Sequence, residues 1–387
     1  MFSACLPRRH RRRPSQPPSY SSNESTEPTT FDDKDKIMSS SPHEVDLLIL
    51  GAGWTSTFLV PLLLDEDDDK KKISFARTTR DGRDGSIEWT FDPSDDDDES
   101  NYKVLPSAKT VLITFPIKER GAVTRLVKAY ERLYHPSRRQ SSSSSSRSIR
   151  WIQLGSTGIW DGGPTLVGSK LLAVDDQDEA RRGRGGGGGG DPPSYSSSSF
   201  TWTDRHSRYD SENPRAIAED ELLSLASNTF VLNLAGLWGG ERDPSNWIDR
   251  VASSKQQLAV KGSLHLIHGL DVARAIVAVH LAPPVPSSSC SKETSNEEEE
   301  DTTTLKGKRY LLTDLRVIDW WDLASRYPSP QDCPRKQFEW VRELMHEHRV
   351  RALPRTPLEL GRALDSFDFW NDFGLMPIRA GYEKSKL

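Results

Sequence analysis

Cysteine, methionine and long apolar runs are all scarce in this 387-residue chain. Three cysteines, Cys5, Cys290 and Cys333, stand far apart. That spacing leaves neither a disulfide framework nor a paired-cysteine metal knuckle, and it points to a reducing, intracellular setting. No stretch approaches the roughly 18 uncharged apolar residues of a membrane span, so no membrane partner is expected. Charge of one sign is also lacking, with a formal net charge of −5, which argues against nucleic acid as the main partner. Only 34% of residues are hydrophobic, low for one compact fold of this length. The deficit is local. Ser, Asp, Glu, Gly and Arg tracts at 1–42, 65–72, 92–101, 137–148, 176–199 and 283–307 hold about 120 residues, and the remainder has the composition of one large domain.

What is present begins with a basic N-terminus. Arg8, Arg9, Arg11, Arg12 and Arg13 precede any acidic residue, as in a transit peptide, but Pro7, Pro14, Pro17 and Pro18 oppose the amphipathic helix such a peptide needs. Residues 1–43 are therefore expected to be a disordered basic, serine-rich tail. The expected compartment is cytoplasmic, with mitochondrial import as the alternative.

The core reads as alternating strands and helices. Val45–Leu50 is a buried-strand run followed at once by Gly51-Ala52-Gly53 and a helix over Trp54–Leu64. Further strands are expected at Ile73–Arg77, Ile87–Phe91, Thr110–Phe115, Trp151–Leu154, Phe230–Leu234, His265–Ile267 and Tyr310–Thr313. Helices are expected at Val123–Leu133, from Asn213-Pro214 to about Ala226, and at Trp247–Gln257. Four more should cover Asp271–His280 with Asp271 as cap, Val317–Arg326, Phe338–His348 and Pro357–Phe369. This alternation predicts an α/β fold, a doubly wound parallel sheet. It forms a single domain over 44–387, with a cofactor sheet at 44–230, a mixed lobe at 231–387, and disordered insertions near 92–101, 137–148, 176–199 and 283–307.

Three segments could carry chemistry. In Gly51-Ala52-Gly53-Trp54-Thr55-Ser56 the first glycine suits a tight bend, the second lets backbone amides approach a pyrophosphate, and Ser56 replaces the usual third glycine. A strand before it and a helix after it are the context a dinucleotide turn requires. Past the second strand, Arg77, Thr78 and Arg80 precede the first acid, Asp81. Guanidinium and hydroxyl groups there suit a ribose 2′-phosphate, so NADP(H) is expected over NAD(H). Ser156-Thr157-Gly158-Ile159-Trp160 follows the fifth strand.

Together with Phe230–Gly239 and His268–His280, these segments resemble, over roughly Val45 to Phe373, the extended short-chain dehydrogenase/reductases of the NAD(P)-dependent epimerase/dehydratase type. The resemblance implies that the sheet is of Rossmann type with a smaller C-terminal substrate-facing lobe. It implies an oxidoreductase acting on a carbonyl, alcohol or sugar-like small molecule, as monomer or homodimer. It implies cofactor binding at Gly51, Gly53, Trp54, Thr55, Ser56 and Arg80. Phe115, Pro116, Ser156 and Thr157 would border the nicotinamide, and Ser156 would orient the substrate oxygen. It also implies a Tyr-x-x-x-Lys dyad with a glutamate four residues beyond the lysine. Anchoring on Glu219 puts Arg215 at the lysine position and Ser211 at the tyrosine position, so the dyad is missing. A serine hydroxyl is a far weaker acid than a phenol and cannot simply substitute. Arg215 could still hold ribose hydroxyls.

Tyr209, two residues from the expected position, is the candidate displaced proton donor, and Tyr195 lies further back. The absent dyad also supports a rival reading, a catalytically inactive dinucleotide-binding regulatory module. A third, weaker reading is RNA association through the Arg/Gly run at 181–190. His265 and His268 sit on a strand and its turn, with no third ligand nearby, so no metal is expected. Trp160, Trp238, Trp247, Trp320 and Trp321 could wall a pocket, although core packing is the commoner use of tryptophan.

Overall fold

The computed structural model describes residues 44–65, 72–94, 99–134, 148–161, 202–226, 228–283, 308–326 and 336–382. The expected tail at 1–43, the insertion at 176–199, the three cysteines and Tyr195 lie outside these. So do the insertions at 137–148 and 283–307, apart from Ser148 and Pro283.

β1 (Val45–Leu50) is apolar on both faces because it lies between two helical layers. Leu47 and Ile49 join one core with Leu59 and Leu63 of α1 (Ser56–Leu64) and with Ile276 and Val279 of α6 (Gly269–Leu281). Leu48 and Leu50 point the other way. They join Val123, Leu126 and Tyr130 of α2 (Ala122–Tyr134) and Leu222 of α3 (Pro214–Leu225). The sheet continues with β2 (Phe75–Thr79), β3 (Ile87–Glu88), β4 (Ala108–Ile113), β5 (Arg150–Ser156), β6 (Thr229–Leu234) and β10 (Lys308–Leu312). Its order is β10-β6-β5-β4-β1-β2-β3, with every pairing parallel. The chain runs outward from β1 to β3, then returns to β4 on the opposite side of β1. That reversal makes the ends of β1 and β4 the switch point where open parallel sheets bind ligands.

Most of the remaining elements form a third core, while Phe369 and Trp370 near the C-terminal end join the first. β7 (Gly236–Trp238) pairs with β9 (Leu266–His268), and β8 (Ser263–Leu264) with β11 (Ile318–Asp319). α4 (Ile248–Val251), α5 (Lys255–Ala259), α7 (Trp320–Arg326) and α8 (Lys336–Glu347) surround Trp321, Leu258 and Leu344. α9 (Pro357–Leu360) and α10 (Phe367–Asp372) follow. β10, from the segment after residue 230, completes the large sheet beside β6.

Several local expectations are corrected. β2 begins two residues late, because Ser74 is tied to the Asp46 carboxylate by its amide at 2.9 Å and its hydroxyl at 2.7 Å. The expected helix 247–257 breaks in two where the Ser254 hydroxyl caps α5 by accepting from the Gln257 amide. The helix over 357–369 breaks at Gly361, whose φ of 83° no helix accommodates. Val317–Arg326 opens with strand β11 because Asp319 is consumed by the Arg355 guanidinium at 2.7 Å and by the Trp321 amide at 2.8 Å. α6 is capped by His268, whose Nδ1 accepts from the Leu270 amide at 3.1 Å, whereas Asp271 is buried and accepts from the amides of Ile378 and Arg379. Within 92–101, Asp92 caps the Ser94 amide and a 3-10 turn covers Glu99–Tyr102, with Tyr102 buried, so the ends of that tract are ordered.

Candidate functional site

The turn after β1 is built on Gly51. Its φ is 85°, and a Cβ there would stand 2.9 Å from both Phe115 Cδ1 and Thr114 Oγ1, so no larger residue fits. The turn's own bonds occupy the amides of Gly51, Ala52, Gly53 and Ser56, but not those of Trp54 and Thr55, which lead into α1. Two features fit a dinucleotide pyrophosphate at this helix start. Gly53 is exposed, and a Cβ there would meet only the Gly51 carbonyl at 4.0 Å, leaving room for a ligand to approach the backbone. The Ser56 hydroxyl is buried with no hydrogen-bond partner among the described residues.

Beside the turn opens a cavity of about 570 Å³ at the C-terminal ends of β1, β2 and β4. Gly51, Thr78 and Arg80 line it with Phe115, Pro116 and Lys118. Trp89, Phe91 and Phe115 wall one side, with Phe91 and Phe115 stacked at 5.5 Å. Arg80 and Lys118 are exposed on its rim, and neither has a carboxylate partner among the described residues. Glu119, also on the rim, pairs with Arg125 at 3.0 Å. Asp81 pairs with Arg83 at 3.4 Å, and the Thr79 hydroxyl heads the contacts that hold its carboxyl below the usual range.

The predicted cofactor residues therefore divide. Thr78 is fully buried, and its hydroxyl accepts from the Gly51 amide at 2.9 Å, so it shapes the turn. The Arg77 guanidinium donates to the Asp84 carbonyl, and Arg77 does not line the cavity. Phe115 and Pro116 share the cavity with Arg80, and Ser156 and Thr157 are not part of its lining. Lys118, Trp89 and Phe91 were missed. The signal for Lys118 was its place just beyond a strand end, where open parallel sheets put their ligand contacts.

At the end of β5, the Ser156 hydroxyl accepts from the Gly158 amide at 3.1 Å, which leaves its own proton to donate. The Ser156 carbonyl accepts from Asn233 Nδ2 at 3.1 Å, and the same amide group donates to Glu219 at 2.9 Å. Glu219 is fully buried against the Arg309 guanidinium at 3.1 Å; burial pushes its carboxyl up and the arginine opposes this. A side chain at Gly155 would collide with Glu219 and Asn233, so glycine is required beneath Ser156. Tyr209 packs against this network. Its hydroxyl donates to Asp220 at 2.7 Å, Arg309 lies 4.4 Å from its ring centre, and burial pushes its phenol up. Arg215 opens α3 with its amide on the Asn213 side chain at 3.1 Å.

The tryptophans pack into cores. Trp160 donates to the Ser207 carbonyl at 3.0 Å, Trp320 and Trp321 are buried in the third core, and Trp238 and Trp247 pack against it. His265 is buried, with Nε2 accepting from the Leu364 amide at 3.0 Å. No cluster of three metal-binding side chains occurs among the described residues, nor any helix long and apolar enough to cross a membrane.

No family profile and no curated protein matches the sequence. Among solved structures, the chain is similar to a protein assigned as an NAD-dependent epimerase/dehydratase from Methylobacillus flagellatus, at 12% identity. That alignment covers 87% of this chain and 94% of the other, with a TM-score of 0.48. Vestitone reductase from alfalfa aligns at 13% identity over 88% and 94% of the two chains, with a TM-score of 0.44. The dTDP-glucose 4,6-dehydratase of Bacillus anthracis, solved with NAD, aligns at 10% identity over 87% and 92%, with a TM-score of 0.43. The assignment of a doubly wound Rossmann-type sheet rests on this chain's own strand order.

Proposed function

We propose that the protein binds NADP(H) at the β1–α1 turn and uses it as an oxidoreductase of the epimerase/dehydratase or reductase kind on a carbonyl, alcohol or sugar-like substrate. The observation that carries the reading is the cavity at the switch point. It joins Gly51, where no side chain fits, to two cations with no carboxylate partner among the described residues, Arg80 and Lys118, and the one acid in its lining, Glu119, pairs with Arg125. Guanidinium and ammonium groups without a competing carboxylate favour a 2′-phosphate over bare ribose hydroxyls.

When bound, the nicotinamide would supply or accept hydride. Gly53 would admit the pyrophosphate to the Trp54 and Thr55 amides and the positive end of α1. The aromatic wall would shelter the adenine, so Phe115 and Pro116, which share the cavity with Arg80, would serve the adenine end and not the nicotinamide end expected for them from the sequence. Ser156, held by Asn233 and the Gly158 amide, would donate its hydroxyl proton to the substrate oxygen. Tyr209 would serve as proton donor only after releasing Asp220, and its raised pKa is the reverse of the acidified phenol that lysine creates. That commitment favours the second reading, a dinucleotide-binding regulatory module without turnover.

The test is a calorimetric titration of the protein and its Gly53→Asp variant with NADPH and NADH. Tighter binding of NADPH, abolished by the carboxylate at residue 53, is expected. A folded protein that binds neither nucleotide would end the cofactor reading. NADPH oxidation that requires a carbonyl substrate and is lost in Ser156→Ala would decide for the enzyme over the regulator.

A further inference from the structure

Across the glycine turn lies a loop that follows Trp54 by 185 residues in the sequence. Gly239 and Gly240, with φ of 105° and 57°, fold residues 239–242 into a tight turn in which Gly239 and Arg242 exchange backbone bonds of 2.9 and 3.2 Å. The Gly239 carbonyl also accepts from the Trp54 indole at 3.1 Å, the residue that directly follows Gly53. Gly240 lies over the same surface, where a Cβ would stand 3.6 Å from Phe58 and 4.0 Å from Trp54 Nε1. This seats the Arg242 guanidinium 4.4 Å from the centre of the Trp54 ring. Arg242 is exposed, and no carboxylate among the described residues pairs with it.

A guanidinium without a carboxylate partner among the described residues is thus stacked on Trp54, which stands between the exposed Gly53 and the start of α1, where the buried Ser56 hydroxyl has no partner among the described residues either. The geometry points to Arg242 as a diphosphate-binding residue, delivered onto the cofactor turn by the 239–243 strap, with Trp54 as its positioning residue. This rests on the proposed cofactor reading. The strap is fixed at its other end, because Asp243 accepts from the Ser245 amide at 2.7 Å and from the Tyr382 hydroxyl. Arg242 thus ties the diphosphate to the third core.

The experiment titrates wild type, Arg242→Gln and Arg242→Lys with NADPH and with adenosine 2′-monophosphate, which has the adenine, ribose and 2′-phosphate but no diphosphate. Loss of one charge-assisted contact should weaken NADPH binding roughly ten- to a hundredfold in Arg242→Gln. Binding of the monophosphate should be unchanged, and Arg242→Lys should recover part of the loss. NADPH binding equal to wild type in Arg242→Gln, or an equal loss for both nucleotides, would overturn the assignment. Wild type binding neither nucleotide would overturn the cofactor reading instead, and the role of Arg242 with it.

Discussion

At the level of single residues, the cavity separates side chains that shape the turn from side chains that can meet a ligand. Arg77, Thr78 and Arg80 look alike as a cationic, hydroxyl-bearing strand end, yet of the three only Arg80 brings a charged group to the cavity, and it has no carboxylate partner among the described residues. Cofactor selectivity should therefore reside in Arg80 and Lys118. Replacing both with alanine is expected to weaken NADPH roughly ten- to a hundredfold while changing NADH less than about threefold, read by competition titration. Arg77→Ala should leave the ratio of the two affinities unchanged. A variant at Arg77 that alters the preference more than the double variant would show that the guanidinium swings from Asp84 to the ligand.

Among elements, α6 depends on a neighbour strand for its C-terminal end. Arg150, at the start of β5, is buried and donates Nη1 to the carbonyls of Val279, His280 and Ala282 at 2.6, 2.9 and 2.8 Å, and Nη2 to that of Pro283 at 3.0 Å. Helix ends leave such carbonyls unpaired, and a cation there also meets the negative end of the dipole. Arg150→Met should cost about 2–4 kcal/mol, seen as a lower urea midpoint at unchanged slope.

The same scale shows what was legible in the sequence. β1, the glycine turn, α2 and α6 were recognisable because each carries its own periodicity or turn residue. The breaks at Ser254 and Gly361 and the strand at Ile318–Asp319 were not, since a cap, a positive φ and a buried ion pair with Arg355 override a helix-like pattern. Ser156 could be placed from its strand end. The Glu219–Asn233–Arg309 network beneath it brings together residues from three elements, which no local pattern reveals.

For the molecule as a whole, two buried groups set opposing responses to acid. Burial, with Arg362 adding to it, lowers His265 to about 3, so it stays neutral in the fold. Its stabilising contribution is present above about pH 6.5 and is lost as pH falls from there towards 3, at up to about 1.4 kcal/mol per unit. Burial raises Asp314 to about 6, although its carboxylate accepts from the Gly381 amide at 2.9 Å. The fold then holds a proton that the unfolded chain releases, so between about pH 6 and 4 acidification stabilises through this group. The two slopes nearly cancel across that window. His265→Gln should therefore gain stability relative to wild type as pH falls from 6 to 4, measured by urea unfolding at stepped pH; a parallel pair of profiles would refute the assignment.

The strand order also governs the birth of the protein. β6 is buried along its whole length, uncharged, and sealed on one side only by β10, which the ribosome makes much later. Until residues 308–312 emerge, the nascent chain carries a bare strand edge of Thr-Phe-Val-Leu-Asn-Leu, the kind that pairs with other chains. Chaperone demand during synthesis should peak in that interval and fall once Lys308–Leu312 zips alongside.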